Sequence, residues 1–319
     1  MENMRIKNVC VLGGSGFVGS SIVERLDEAG YQVKVLTRRR DRAKHLFLLP
    51  KVQAVECDVM DDVALAREIS GSDAVINLTG ILHESSKLSF DTVHHQLPRR
   101  LLRICREKGV NRLLHMSALQ ASLDAPSAYL RSKGEGEAAV MAAQSEQLHV
   151  SVFRPSVIFG RDDSFLNLFA SLVKLLPVVL LAKPNARFQP VFVEDVAQAF
   201  VASLENIDTY GQRYDLCGPQ TYSLRELVQY VADALRLKRR VIGLNDRLSY
   251  LQAYMMELLP IKLMTRDNLK SMEIDSVCAC PFPTIFGLQP TAMEVVVPDY
   301  LRGDTPRNAY KRFRSMAGR

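Results

Sequence analysis

The sequence is poor in the features that mark special classes of protein. It has no uninterrupted apolar run long enough to span a bilayer, no low-complexity tract and no internal repeat. Its charge is nearly balanced. Lys and Arg number 41 against 35 Asp and Glu, and the net +6 is too small a bias to point to nucleic acid as a partner. Gly (17) and Pro (14) are too few and too scattered for a collagenous or disordered chain, and a 47% hydrophobic, 24% charged composition is that of a globular protein. A chain of 319 residues suits one large domain or two ordinary ones. The opening stretch from Met1 to Lys7 holds no apolar segment of signal-peptide length and leads directly into a strand.

The most apolar stretch, Phe165 to Ala182, is broken by Asn167, Lys174 and Pro177. An amphipathic helix ending before Pro177 and then a short strand is expected there, not a transmembrane segment. Cysteines (Cys10, Cys57, Cys105, Cys217, Cys278, Cys280) are scattered along a chain too large to need disulfide staples, so reduced thiols and a cytoplasmic setting are expected. Cys278-x-Cys280 has no second pair, and a zinc site takes roughly four ligands. No metal is expected. His94 and His95 are adjacent and would diverge on a helix surface, with no carboxylate or Cys at ligand spacing. Asp61-Asp62 and Asp162-Asp163 read as helix-start acids. Met255-Met256, within Tyr250–Leu259, reads as core or a soft pocket wall.

Short β-branched runs alternate with helix-period stretches through the first half. The runs are 9–12, 33–36, 52–57, 74–78, 113–116 and 150–153, and the helical stretches lie near 16–29, 41–48, 62–69, 92–108 and 129–145. This alternation predicts an α/β, Rossmann-type doubly wound parallel sheet, with ligands at the carboxyl ends of its strands. After Gly160 the alternation loosens. A capping box at Ser223–Glu226 opens a helix through about residue 235, a second helix follows near 246–259, and prolines punctuate the rest. The expected division is a dinucleotide-binding domain over 1–160 and a smaller, mostly helical substrate or partner lobe over 161–319. Parts of that lobe near 187–217 are expected to pack back on the sheet. The tail holds Arg302, Arg307, Lys311, Arg312, Arg314 and Arg319 against Asp304. It reads either as a solvated end or as a contact for an anionic lipid or partner surface on the inner face of the cytoplasmic membrane.

The first strand runs into Gly13-Gly14-Ser15-Gly16-Phe17-Val18-Gly19. A glycine turn at the first strand–helix junction lets the backbone approach a pyrophosphate and offers it the bare N–H groups of the helix. The second strand ends in Leu36-Thr37-Arg38-Arg39-Arg40, where an NAD site would place an acid. Arg38 suits a 2′-phosphate instead, so NADP(H) is favoured and NAD(H) is the alternative. Asp58-Val59 after the third strand are placed to meet adenine, and Leu78-Thr79-Gly80 after the fourth to pass beneath the ribose and pyrophosphate. Tyr129 and Lys133 lie four apart on one helical face. A lysine ammonium beside a phenol lowers its pKa and lets it pass a proton during hydride transfer. Ser117 ends the fifth strand, where its hydroxyl would orient a carbonyl.

Together the glycine turn, Asp58-Val59, Ser117, the Tyr129/Lys133 pair and Arg154–Gly160 resemble the extended and atypical short-chain dehydrogenase/reductases, the NAD-dependent epimerase/dehydratase-like group. The resemblance implies that Tyr129, Lys133 and Ser117 are the family's catalytic Tyr, Lys and Ser. It also implies that the stretch from Pro155 through Val157 passes the nicotinamide. Gln189–Ala197 matches a second family landmark. A narrower set, Tyr129–Lys133, Phe159–Asn167, Thr265–Asp267, Gly287–Thr291 and Pro298–Leu301, resembles the nucleotide-binding accessory subunits of respiratory complex I (alpha-subcomplex subunit nine) and their free-standing bacterial relatives. That likeness implies a tightly held NADPH with a structural role in a respiratory or quinone-related assembly. The segment between Ser117 and Tyr129 is shorter than in sugar-nucleotide epimerases, and Ser122 within it is a rival hydroxyl. The alternatives are an active NADPH-dependent reductase, dehydrogenase or epimerase, and a nucleotide sensor without chemistry. The enzyme would act on a quinone- or isoprenoid-like carbonyl or a sugar nucleotide, with Phe165–Leu181 and Tyr250–Leu263 lining an apolar lobe.

Overall fold

A computed structural model describes residues 6–258 and 263–302. The β-branched runs of the first half form strands β1 (Asn8–Leu12), β2 (Gln32–Thr37), β3 (Val52–Glu56), β4 (Ala74–Asn77), β5 (Arg112–Met116) and β6 (His149–Pro155). Between them lie helices α1 (Phe17–Glu28), α2 (Asp62–Ile69), α3 (Leu97–Glu107) and α4 (Ala128–Ala142). Residues Arg40–Leu48 form 3-10 turns, and a π-helical turn over Asp91–Gln96 leads into α3. Helix α5 (Val193–Ser203) and strand β7 (Gln212–Leu216) complete the unit. All seven strands are parallel, in the order β7-β6-β5-β4-β1-β2-β3. Strand order reverses beside β1, which makes the sheet doubly wound as expected and puts a crevice at the carboxyl ends of β1 and β4.

The apolar runs of β1, β2, β4, β5 and β6 are largely buried because helices cover both faces, while edge strand β3 buries only Ala54. Leu65, Leu101 and Val140 of α2, α3 and α4 join Leu12, Val75, Leu113 and Val152 of the sheet in one core. Arg25 of α1 is ion-paired to Glu194 of α5 at 2.9 Å. Asp61 caps α2 by accepting from Val63 N and Ala64 N, the helix-start role expected of it.

The chain divides into two compact units, the first comprising residues through Pro155 with Val193–Leu216 and Phe282–Gln289. In the second, helix Phe165–Leu175 packs with Leu224–Ala234 and Met293–Leu301 around Phe169, Val173, Leu227 and Val231. The apolar stretch from 165 resolves as expected into that helix and, past Pro177, strand Val178–Leu181, which pairs in parallel with Arg240–Gly243. The capping box at Ser223 and Glu226 is present, and Asp163 accepts from Leu166 N and Asn167 N at the start of its helix.

Cys217 and Cys278 form a disulfide, their Cα atoms 6.1 Å apart, which corrects the expectation of reduced thiols throughout. The two are 61 residues apart, so no local spacing announces the pair. Gln189 joins their segments, donating to Gly218 O and accepting from Cys278 N. Cys10, Cys57 and Cys105 are buried free thiols and Cys280 is an exposed one. Among the described residues no helix is long and apolar enough to cross a membrane. Of the basic tail only Arg302 is described; Asp304, Arg307, Lys311, Arg312, Arg314 and Arg319 lie outside the described residues.

Candidate functional site

The ends of strands β1 to β5, with helices α1 and α4, build the site. At the end of β1, Gly13 takes φ +80°, a left-handed conformation that favours glycine, and Gly16 N donates back to Gly13 O at 3.1 Å. A Cβ on Gly19 would lie 2.3 Å from Gly13 O, so only glycine lets α1 close on the turn. Gly16 caps α1 without any side-chain bond, and the first turn, which contains Phe17 and Val18, holds no acid. The positive end of the helix is therefore open to an anion. Ser15 Oγ donates to Thr37 Oγ1 at 3.2 Å, tying the turn to the end of β2.

Just past β2, the three arginines separate. Arg39 is held by Asp41 at 2.9 Å and Arg40 lies over the Phe47 ring, whereas the exposed Arg38 enters no ion pair among the described residues. After β3, Asp58 is exposed and accepts from Met60 N, and Val59 is buried. After β4, Leu78 is buried with its N–H on Leu12 O, while Thr79 and Gly80 follow toward α4. A Cβ on Gly80 would sit 3.3 Å from Lys133 Nζ.

Tyr129 and Lys133 share one face of α4, capped by Ser127. Lys133 is buried and donates to Met116 O at 3.1 Å, at the residue preceding Ser117. Burial pulls its ammonium down to about 8. Burial also pushes the Tyr129 phenol up, to about 12. That is opposite to the lowering expected from the lysine, and the cause is that the phenol is desolvated while Lys133 is directed at a backbone carbonyl. Ser117 is buried, and neither its Oγ nor Thr79 Oγ1 has a hydrogen-bond partner among the described residues. The rival Ser122 is exposed and accepts from Asp124 N in a turn. The structure thus brings together the turn, Ser15, Leu78–Gly80, Ser117, Tyr129 and Lys133 within the first unit. Pro155 ends β6, its carbonyl accepting from Leu119 N, while Val157 falls in the second unit and accepts from Val191 N.

Three residues that sequence reasoning missed also lie here. His94 is buried rather than on the helix surface, a correction that follows from the π-helical turn aiming it inward. Its Nε2 accepts from Ile81 N at 3.0 Å, so Nδ1 carries the proton and donates to Ser132 Oγ at 2.9 Å. Ser132 Oγ in turn donates to Tyr129 O, and the imidazole meets the Tyr129 ring edge-on at 5.4 Å. Burial, with Lys133 and His115 nearby, holds His94 near 2, hence neutral. Asn77 accepts from Thr79 N and turns its amide to His115 Nδ1 at 3.1 Å, and His115 is held near 3 by burial and by Lys133. His95 also departs from expectation. It pairs with Asp91 one turn earlier at 2.9 Å, and Glu135 of α4 brings a second carboxylate within 3.7 Å.

The sequence profile of the NAD dependent epimerase/dehydratase family matches residues 9–217, a span that contains this whole constellation. The chain belongs to that family. Among its relatives is the mitochondrial NADH dehydrogenase (ubiquinone) 1 alpha subcomplex subunit 9 of Rattus norvegicus, 32% identical over 308 residues, with 92% of this chain and 79% of the relative covered. A ceramide reductase of Caulobacter vibrioides is 29% identical over 244 residues, covering 75% of this chain and 74% of its own. In fold the chain is similar to a UDP-glucuronic acid 4-epimerase of Bacillus cereus solved with UDP-glucuronic acid and NAD. That likeness has a TM-score of 0.69 at 15% identity, with 93% of this chain and 99% of the epimerase covered. The family is named for dependence on a nicotinamide dinucleotide, and this chain has the doubly wound sheet of that fold.

Proposed function

We propose that the protein holds NADP(H) tightly, mainly as a structural group, and docks on a respiratory complex I or quinone-related assembly at the cytoplasmic face of the membrane. The observation that carries this reading is the likeness to the complex I subunit along 92% of the chain. The residues fit a dinucleotide. The turn at Gly13, Gly16 and Gly19 leaves no side chain in the way, the start of α1 is open, and Thr79 Oγ1 and Ser117 Oγ are buried polar atoms in want of partners. Arg38, exposed at the end of β2, supports a 2′-phosphate and so NADP(H) over NAD(H).

A second reading, an active NADPH-dependent reductase or epimerase on a hydrophobic carbonyl, quinone- or isoprenoid-like, or on a sugar nucleotide, is favoured by Ser117, Tyr129 and Lys133 converging. The ceramide reductase relative adds to it. The bound dinucleotide would supply the hydride. In reduction, Tyr129 gives its proton to the carbonyl oxygen, the phenol being protonated at neutral pH, and Ser117 Oγ donates a hydrogen bond to that oxygen. Lys133 and Thr79 would hold the cofactor.

Exchange of the co-purifying nucleotide decides between the two. Protein purified with near-stoichiometric NADP(H) that labelled NADPH displaces only over hours, and a Tyr129→Phe variant that keeps cellular function, are the expected results. Arg38→Glu should lower NADPH retention at least about tenfold while leaving NADH binding less affected. Rapid exchange, with NADPH oxidation on a carbonyl panel lost in Tyr129→Phe, would establish the enzyme instead. Co-purified NAD(H) alone would overturn the role given to Arg38.

A further inference from the structure

Helix Phe165–Leu175 ends in a tip that is apolar and exposed. Leu175 is 78% exposed, and Leu176 and Val178 follow it on either side of Pro177. Strand Val178–Leu181 alternates, burying Val179 and Leu181 while Leu180 stays 53% exposed. Its parallel partner starts at the same end, Arg240 opposite Val178. The run Arg236-Leu237-Lys238-Arg239-Arg240 therefore lies at the tip, fastened by Arg239 Nε donating to Val173 O. Lys174 adds a further cation. No acid occurs between Ser164 and Val193, nor between Ala234 and Asn245, so nothing in either segment neutralises these charges.

The neighbouring helix carries the same character. In Asp246–Glu257 and its C-cap, Leu248, Leu251, Met255 and Leu258 recur at spacings of three and four, one face of a helix. All four are exposed, Met255 by 58% and Leu258 by 67%. This corrects the expectation that Met255 lies in a core or pocket. Gln252 Nε2 donates to Leu180 O at 3.0 Å, which sets the helix beside the strand.

We infer that this face of the second unit, the tip at Leu175–Val178 with its arginine and lysine rim and the adjoining helix, docks on an anionic lipid surface. The chemistry discriminates. Protein-binding surfaces favour aromatics, Met and Arg at their centres and are depleted of Lys, whereas this tip centres on Leu and Val and carries Lys174 and Lys238. Protruding leucines and valine at the tip, in segments that hold Lys and Arg but no acid, match the interfacial zone of a bilayer. There the apolar side chains enter the headgroup boundary and the cations meet phosphate. This docking is independent of whether the nucleotide site turns over.

The test is co-sedimentation of the full-length, nucleotide-loaded protein with vesicles of phosphatidylcholine alone or mixed equally with phosphatidylglycerol. Binding to the mixed vesicles only, weakened by salt, is expected. Each basic residue near such a surface contributes enough that Lys238→Glu with Arg240→Glu should weaken partitioning at least about tenfold. Leu175→Asp with Leu180→Asp should do the same. All four positions are exposed, so unchanged thermal unfolding shows that neither double variant is misfolded. Absence of binding to the mixed vesicles, or binding undiminished in both double variants, would overturn the proposal. So would self-association of the parent that these substitutions abolish while vesicles capture nothing, since that outcome assigns the face to a second copy of the chain.

Discussion

Lys133, His94 and His115 bring three basic side chains into one buried neighbourhood, and at neutral pH the charge rests on the lysine. Burial holds His94 near 2 and His115 near 3, each well below the usual 6.5, while Lys133 stays near 8. In the unfolded chain both imidazoles would take up a proton below about pH 6.5, and in the folded chain neither does. The unfolded state then binds more protons, so acid favours it. The stability present above pH 6.5 is lost as pH falls toward the folded values, by about 1.4 kcal/mol per pH unit for each histidine. His115→Asn keeps an acceptor for the Asn77 amide but does not titrate. Urea unfolding between pH 4 and pH 7 should show the variant losing less stability than the parent, by about one histidine's share of the slope. Identical slopes would mean that His115 is protonated in the fold. These residues also mark where the sequence stops being readable. The glycine turn and the Tyr129/Lys133 pair are legible because their spacing is local. The partners of His94, Ile81 and Ser132, lie 13 and 38 residues away, and a solitary histidine carries no periodic signal.

Strands and helices of the first half were legible from alternation, and Pro177 correctly ended its helix. The π-helical turn over Asp91–Gln96 was not, because the apolar period continues through it into α3 while the backbone gains a residue. Its consequence is the inward turn of His94, and α4 is shaped to receive it. A Cβ on Gly136 would lie 1.9 Å from His94 O, and one on Gly134 2.6 Å from the Ser122 backbone. In a helix with room, Gly→Ala stabilises by about 1 kcal/mol. Here the methyl group meets a carbonyl oxygen that the π turn fixes, and the overpacking cost of about 1–3 kcal/mol should win. Gly136→Ala is therefore expected to be less stable than the parent in urea unfolding. Equal or greater stability would show that the π turn can shift without cost.

The local pattern loosens after Gly160, and the reason lies in how the sheet is completed. Its seventh strand and one covering helix come from Val193–Leu216, beyond a long excursion into the second unit. Arg112 depends on that return. It is among the largest fully buried side chains, and its guanidinium reaches Ser203 O, Leu204 O and Thr209 Oγ1 as well as Ser151 Oγ, with the Tyr210 ring 4.6 Å away. No carboxylate answers its charge among the described residues. Burial lowers its pKa only to about 10, so it stays charged. Phe153 of β6 likewise packs on Phe200 of α5 at 4.1 Å. A fragment ending at residue 160 contains every glycine of the turn and the Tyr129/Lys133 pair, and by local pattern alone it is a complete dinucleotide domain. It would nevertheless expose the edge of β6 and strip Phe153 of cover. Arg112 would keep its charge and lose most of its acceptors, a cost of several kcal/mol against a typical margin of about 5–15. The 1–160 fragment should therefore aggregate or unfold without a cooperative transition and should retain no dinucleotide, while the full chain is expected to unfold cooperatively and to retain one. A soluble fragment with a sharp thermal transition would mean that β1 to β6 suffice, and that Arg112 only fastens a strand the fold can spare.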